Sequence, residues 1–266
     1  MQEPRPTLGL LFYVGTCDQS TRYNPGMFAY DASLLACLQT PPSAIADVLS
    51  TMRAMDAILA DGDGLKWFNW LYLQVTAGVD AQVSGGGYAN PAFLAELDVQ
   101  FARLYFDSLR ESLSGQPLPD CWGVLFSQRS DVSLGRIQFA LAGINAHINH
   151  DLPMALVATC QGTKVAPAHG TSQYSDYTAV NSTLDSLVEA AKQTLHVRLL
   201  GEILPPVSAL ENTIAAWSVT AAREAAWNNA ELLWHLQPEP LLSSAFLNSL
   251  DGLSAVIGKS LLIPIA

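Results

Sequence analysis

Residues 65–83 read LKWFNWLYLQVTAGVDAQV and are apolar on nearly every side. A helix of that kind cannot lie on a surface, so other elements must wrap it. A strand is the alternative, given the aromatics and the Val-Thr pair, but the length argues for a helix. The wrapping elements are visible in the same chain. PPSAIADVLSTMRAMDAILADGDG places Ile45, Val48, Leu49, Met52, Met55, Ile58 and Leu59 at helical spacing. Pro42 and Ser43 offer a start signal, and Gly62 and Gly64 a stop. SGGGYANP is a clear break, and Pro91 suits the first turn of PAFLAELDVQFARLYFDSLRESL. LPDCWGVLFSQ reads as a short helix.

SLGRIQFALAGINAHINHDLPMALVATC reads as a long helix, bent or broken near Pro153, which cannot donate a backbone bond. GTKVAPAHGTSQYSDY follows as a polar loop of about 16 residues, a length often tied to function. Three further helical stretches run from Tyr177, Val207 and Leu241. No repeat or composition shift divides the chain. The expected architecture is a single all-α domain over 1–266, of about seven or eight helices, with 1–42 an irregular lead-in packed on it.

Half of the residues are hydrophobic and 14% are charged, so much of the chain should be interior. The net charge of -11, without a Lys/Arg cluster, disfavours nucleic acid and anionic membrane surfaces as partners. IQFALAGI and SLLIPIA fall well short of the roughly 20 residues that cross a bilayer. The N-terminal stretch lacks the core and cleavage site of an export signal, so a cytoplasmic location is expected. Cys17, Cys37, Cys121 and Cys160 match no zinc-ribbon spacing and read as reduced, mostly buried thiols.

NAHINHDLP, residues 145–153, interrupts the longest apolar segment. On a helix, His147 shares a face with Asp151 and with His150. Gly143, one turn earlier, removes a side chain from that face and admits another group. Asn145 and Asn149 pair on a different side, near the ladder that Pro153 disrupts. Asp98 lies in an apolar stripe with Leu94, Phe101 and Tyr105, where a carboxylate is costly without a partner. Asp176 is a further acid, or else a helix N-cap.

Two imidazoles and two or three carboxylates from separate helices suit a divalent metal, zinc or iron, held by His147, His150, Asp151, Asp98 and Asp176. A metal-bound water would supply hydroxide near neutral pH, with His147, His150, Asp151 and Asp98 as catalytic groups. A metal-free acid–base site and a purely structural network fit the same residues. Trp67, Asn69, Trp70, Tyr72 and Thr76, together with Tyr105 and Asn145, offer an aromatic lining with polar handles, although core packing also explains the aromatics. Arg223 and Trp227 share a face and read as a stacking or salt-bridge feature rather than a catalytic one; His196 and His235 read as structural. His169, in the long loop, is an exposed histidine or a lid residue.

FNWLYLQVT, LDVQFARLYF, CWGVLF, IQFALAGINAHINHDLPMALV and DYTAVN resemble, in this order, a bacterial family known only as a domain of unknown function. The likeness spans roughly residues 45–235, with NAHINHDLP its most specific element. It implies that Asn145, His147, Asn149, His150, Asp151, Asp98 and Asp176 belong to the family's own signature, and it implies no reaction. His147, Asp151 and the nearby proline also resemble the HxxxD pair of the all-helical zinc phospholipase C and P1 nuclease group. The repeated HxxxE/D pairs of that group are missing, so the likeness implies one or two ions rather than three. The expected function is a metal-dependent hydrolase or lyase acting on a small, fairly apolar molecule. The alternatives are a non-catalytic binder of such a molecule and a metal-free acid–base isomerase or cyclase.

Overall fold

A computed structural model describes residues 28–199 and 218–264. The segment 1–27 with Cys17, residues 200–217, and the side chain of His196 lie outside the described residues. Among the described residues the fold is all-α, as expected. The first helices are α1 (Asp31–Cys37), α2 (Ile45–Ile58), α3 (Gly64–Ser84), α4 (Pro91–Leu113) and α5 (Asp120–Ser127). The central segment is α6 (Arg136–Ala146), a π-helical turn (His147–Asp151) and α7 (Leu152–Thr163). It is followed by α8 (Ser172–Ala179), α9 (Asn181–Leu199), α10 (Val219–Leu236) and α11 (Pro240–Leu261).

The two most apolar segments pair at the centre. α3 runs along α6, while α4 and α10 flank α7 and α11 lies against α5 and α6. Close approach of α3 and α6 depends on two glycines. A Cβ at Gly143 would stand 2.3 Å from the Phe68 ring, and one at Gly64 would meet Phe139 at the same distance. The group that Gly143 admits is therefore Phe68.

Three sequence readings change. The irregular lead-in contains α1, whose Asp31 accepts the Phe28 backbone N–H while Leu34 enters the core. The long polar loop is helical from Ser172, because the Thr171 hydroxyl caps the Tyr174 N–H. Gly64 begins a helix rather than ending one. Asp63 caps it through the Leu65 N–H and is bound by the buried Arg129, which also pairs with Asp31. That buried ion network has no local sequence signature, since its members are remote in the chain.

The bend at Pro153 takes the form of the π turn. Leu152 N–H bonds the His147 carbonyl five residues back. The wider turn accommodates a proline that can neither donate nor fit a regular ladder. It also swings His147, His150 and Asp151 inward, and all three are buried.

α11 alters the membrane expectation at the level of composition. It is long and apolar enough to cross a bilayer by length and composition, with only 17% of its window buried. Polar groups tie it to the body. Asn145 Nδ2 donates to the Ser254 carbonyl at 2.7 Å, and Gln138 Nε2 donates to the Leu261 and Ile263 carbonyls.

Candidate active site and its cavity

The centre of the site is the Asp151 carboxylate, which collects donors from two elements. His147 Nδ1 lies 2.9 Å from Oδ2 and His150 Nδ1 lies 2.8 Å from Oδ1. Trp122 Nε1, on α5, donates to Oδ2 at 3.0 Å. Burial works against ionising Asp151, but the bonds from His147 and His150 outweigh it and hold its pKa below the ordinary value. Burial lowers the pKa of His147 despite the Asp151 bond. Burial also opposes a charge on His150, but there the hydrogen bond and charge of Asp151 prevail and raise it.

These directions define the proton positions. An ionised carboxylate only accepts, so His147 Nδ1 must carry the hydrogen. The neutral ring then has a bare Nε2, and that atom is buried without a hydrogen-bond partner. Phe101 stacks on the imidazole with centroids 3.4 Å apart, and Tyr72 meets it edge-on at 4.6 Å. The ring is thus held on one face by Phe101, at its edge by Tyr72, and at Nδ1 by Asp151.

His147 lines a cavity of about 80 Å³, room for several waters or a compact organic group. α3 contributes Phe68, Tyr72, Val75 and Thr76 to the wall, and α4 contributes Leu94, Leu97, Asp98 and Phe101. Ile144, Ile148 and Leu152 come from the central segment, Val180 from the α8–α9 junction, Leu184 and Val188 from α9, and Val219 and Arg223 from α10. The lining is mainly apolar, with His147, Asp98, Arg223, Tyr72 and Thr76 as its polar groups.

Asp98 Oδ2 is buried without a partner. Burial raises its pKa from 3.8 to about 7, with Arg223 pulling the other way and Asp80 adding to the rise. Near neutrality Asp98 therefore holds a proton much of the time. Arg223 is fixed by Asn181 Oδ1 at 2.7 Å and by the Tyr177 carbonyl at 2.8 Å, and it stacks on the Tyr177 ring.

The sequence-derived residues divide sharply. His147, Asp98 and Tyr72 meet at the cavity. His150 faces away from it, beyond Asp151. Asp151 is the support rather than a cavity wall. Asp176 neither joins the cluster nor caps its own helix. From within α8 it binds the Ala89 and Asn90 backbone N–H groups at the start of α4. Its partners lie far back in the chain, which the local N-cap reading of DYTAVN missed.

The expected aromatic and amide lining is mostly structural. Trp67 stacks with Arg136, and Asn69 Nδ2 donates to the Met52 carbonyl. Asn145 latches α11, and Tyr105 packs against Phe68 and Trp122; none of these four lines the cavity. The predicted metal set does not gather at one point. Among the described residues, three ligand atoms that come within 4.8 Å of one another belong to Cys121, His150 and Asp251. His169 bridges Glu224 and Glu231 on α10 and so fastens the loop rather than swinging over the site. Sequence reading missed Trp122 as the third donor to Asp151. It also took Arg223 for a stacking or salt-bridge residue and not for a cavity residue, although an arginine inside AAREAAW was a visible signal.

No curated protein and no solved structure matches this chain. A family model does match, over residues 45–264, and it takes in every residue of the cavity and of the Asp151 cluster. The chain belongs to DUF5995, a family of unknown function.

Proposed function

We propose that the cavity is the active site of a proton-transfer enzyme acting on a small, fairly apolar carbonyl compound. One observation carries this reading: His147, part of the wall of an apolar cavity, is a neutral imidazole with a bare, unpartnered Nε2 while Asp151 holds its Nδ1. A buried acceptor left open is costly in a structural core, by roughly 1–3 kcal/mol. It is useful where a substrate proton is to be taken.

Asp98 supplies the complementary acid. His147 Nε2 removes a proton from the carbon next to the carbonyl, and the protonated Asp98 gives its proton to the carbonyl oxygen. The enol then returns its O–H proton to Asp98, while His147 delivers the first proton to the original carbon or to one conjugated with it. Both residues are restored and no co-reactant is consumed, so the balanced outcome is an isomerisation. Arg223, beside Asp98, suits a substrate bearing one anionic or strongly polar group. Among the expected functions this is the metal-free acid–base one; hydrolysis and elimination need a second reactant or a leaving group that this pair does not itself provide.

The test is deuterium incorporation into acetone and butanone, ketones compact enough for the cavity, in heavy water, followed by NMR. The wild-type chain should accelerate exchange above buffer, and His147→Gln should lose about 10²-fold or more of that acceleration. Exchange no faster than buffer, or equal rates in His147→Gln, would remove the proposal. Binding of the ketones without exchange would instead support the non-catalytic binder.

A further inference from the structure

We propose that Cys121, His150 and Asp251 form a mononuclear site for a thiophilic divalent metal of the zinc class. The site lies on the far side of Asp151 from the cavity and stands independently of the proton-transfer reading.

Each of the three residues offers one ligand atom, and the three atoms lie within 4.8 Å of one another. They come from three elements. Cys121 is in the first turn of α5, His150 in the π turn, and Asp251 in the middle of α11. A thiolate, an imidazole and a carboxylate are the donor types that zinc accepts, with a fourth position left for water or another ligand.

The group is built rather than accidental. His150 Nδ1 is bonded to Asp151 at 2.8 Å, which leaves Nε2 as its free ligand atom. A carboxylate behind a metal-binding histidine is the usual device for fixing ring orientation and tautomer. Asp251 is fixed as firmly. Its Oδ1 accepts the Cys121 N–H at 2.8 Å and its Oδ2 accepts the Asp120 N–H at 2.9 Å. Each oxygen retains a lone pair for a metal. Cys121 and His150 are 2% and 5% exposed, whereas Asp251 is half-buried beside exposed Gly252 and Leu253, which gives an ion its way in. On binding, the Cys121 thiol gives its proton to solvent as the sulfur–metal bond forms.

The experiment uses the full chain without a histidine tag, stripped with chelator and titrated with cobalt(II) alone. One equivalent should produce a thiolate-to-cobalt charge-transfer band, with the visible bands of a four-coordinate ion, and zinc should abolish them. Cys121→Ser should eliminate the charge-transfer band. Asp251→Asn should weaken zinc binding about tenfold or more, as should Asp151→Asn through His150. Cys160→Ser, at a buried thiol outside the group, should bind as wild type. A wild-type chain with no charge-transfer band, or a band that survives Cys121→Ser, would overturn the site and leave Asp251 as a cap for α5. The wild-type spectrum decides even if a variant does not fold. Cobalt binding without deuterium exchange, or exchange without cobalt binding, separates this site from the cavity reaction.

Discussion

At Asp98 a carboxyl group is confined where its charged form is poorly solvated, and the molecule bears that conflict as a pH dependence. The folded state keeps the proton up to about pH 7, whereas the unfolded chain releases it near 3.8. Between those values the folded state binds the extra proton, so stability contributed at this position falls as pH rises. Each unit of the shift represents about 1.4 kcal/mol, less whatever cavity water returns. Asp98→Asn should therefore raise Tm relative to wild type at pH 8, and the gain should shrink at pH 4.5. Thermal melts at the two pH values check this. The same proton shapes the catalytic profile. Exchange of the test ketones should decline above pH 7 as Asp98 ionises, and at acid pH as His147 is protonated below its depressed pKa. Gly143 makes the steric counterpart. Gly143→Ala drives a methyl into the Phe68 ring, and overpacking of this kind costs roughly 1–3 kcal/mol, measurable by denaturant unfolding. These residue-scale features were largely legible. A carboxylate in an apolar stripe and a histidine four residues before an aspartate are both conspicuous in the sequence. Trp122 was not, because a buried tryptophan in a short helix gives no sign of where its N–H points.

Among the elements, the π turn matters most for the site. A regular helix from Arg136 to Thr163 would carry the same side chains, but Pro153 leaves no donor for its ladder, and the turn widens before it. The bend itself was readable from the proline; its form was not, since the choice among kink, break and π turn depends on what packs around it. Asp176 makes the same point from another direction. Its carboxylate serves the start of α4 from α8, so the two elements depend on each other. Asp176→Ala leaves the Ala89 and Asn90 N–H groups without that acceptor and should cost about 1–2 kcal/mol, the usual effect of removing a cap. Urea denaturation measures the loss. The ketone exchange rate per folded molecule should stay unchanged, because Asp176 does not line the cavity.

For the whole molecule, α11 decides how the site is closed from behind. It holds Asp251 against α5 and receives Asn145 from α6. Its outer face exposes Leu241, Leu242, Leu253 and Val256, so its attachment relies on a few polar bonds as well as on packing. Asn145→Ala removes the bond to Ser254 and the one from Asn149. Amide exchange should then quicken in α11 and at the start of α5 more than in α3. Equal protection in the variant and wild type would show that packing alone secures the helix. The sequence by itself determined the helical class, the central place of residues 65–83, the break at Pro153 and the chemical oddity of Asp98 and NAHINHDLP. All of these follow from periodicity, proline geometry and the cost of a polar group among apolar neighbours, which act within a few turns of chain. Only the tertiary structure decided which side of Asp151 each histidine faces, which residues line the cavity, and that Arg223, Trp122, Cys121 and Asp251 stand near the cluster. Those are contacts between remote helices, set by how whole faces pack, and no local spacing encodes them.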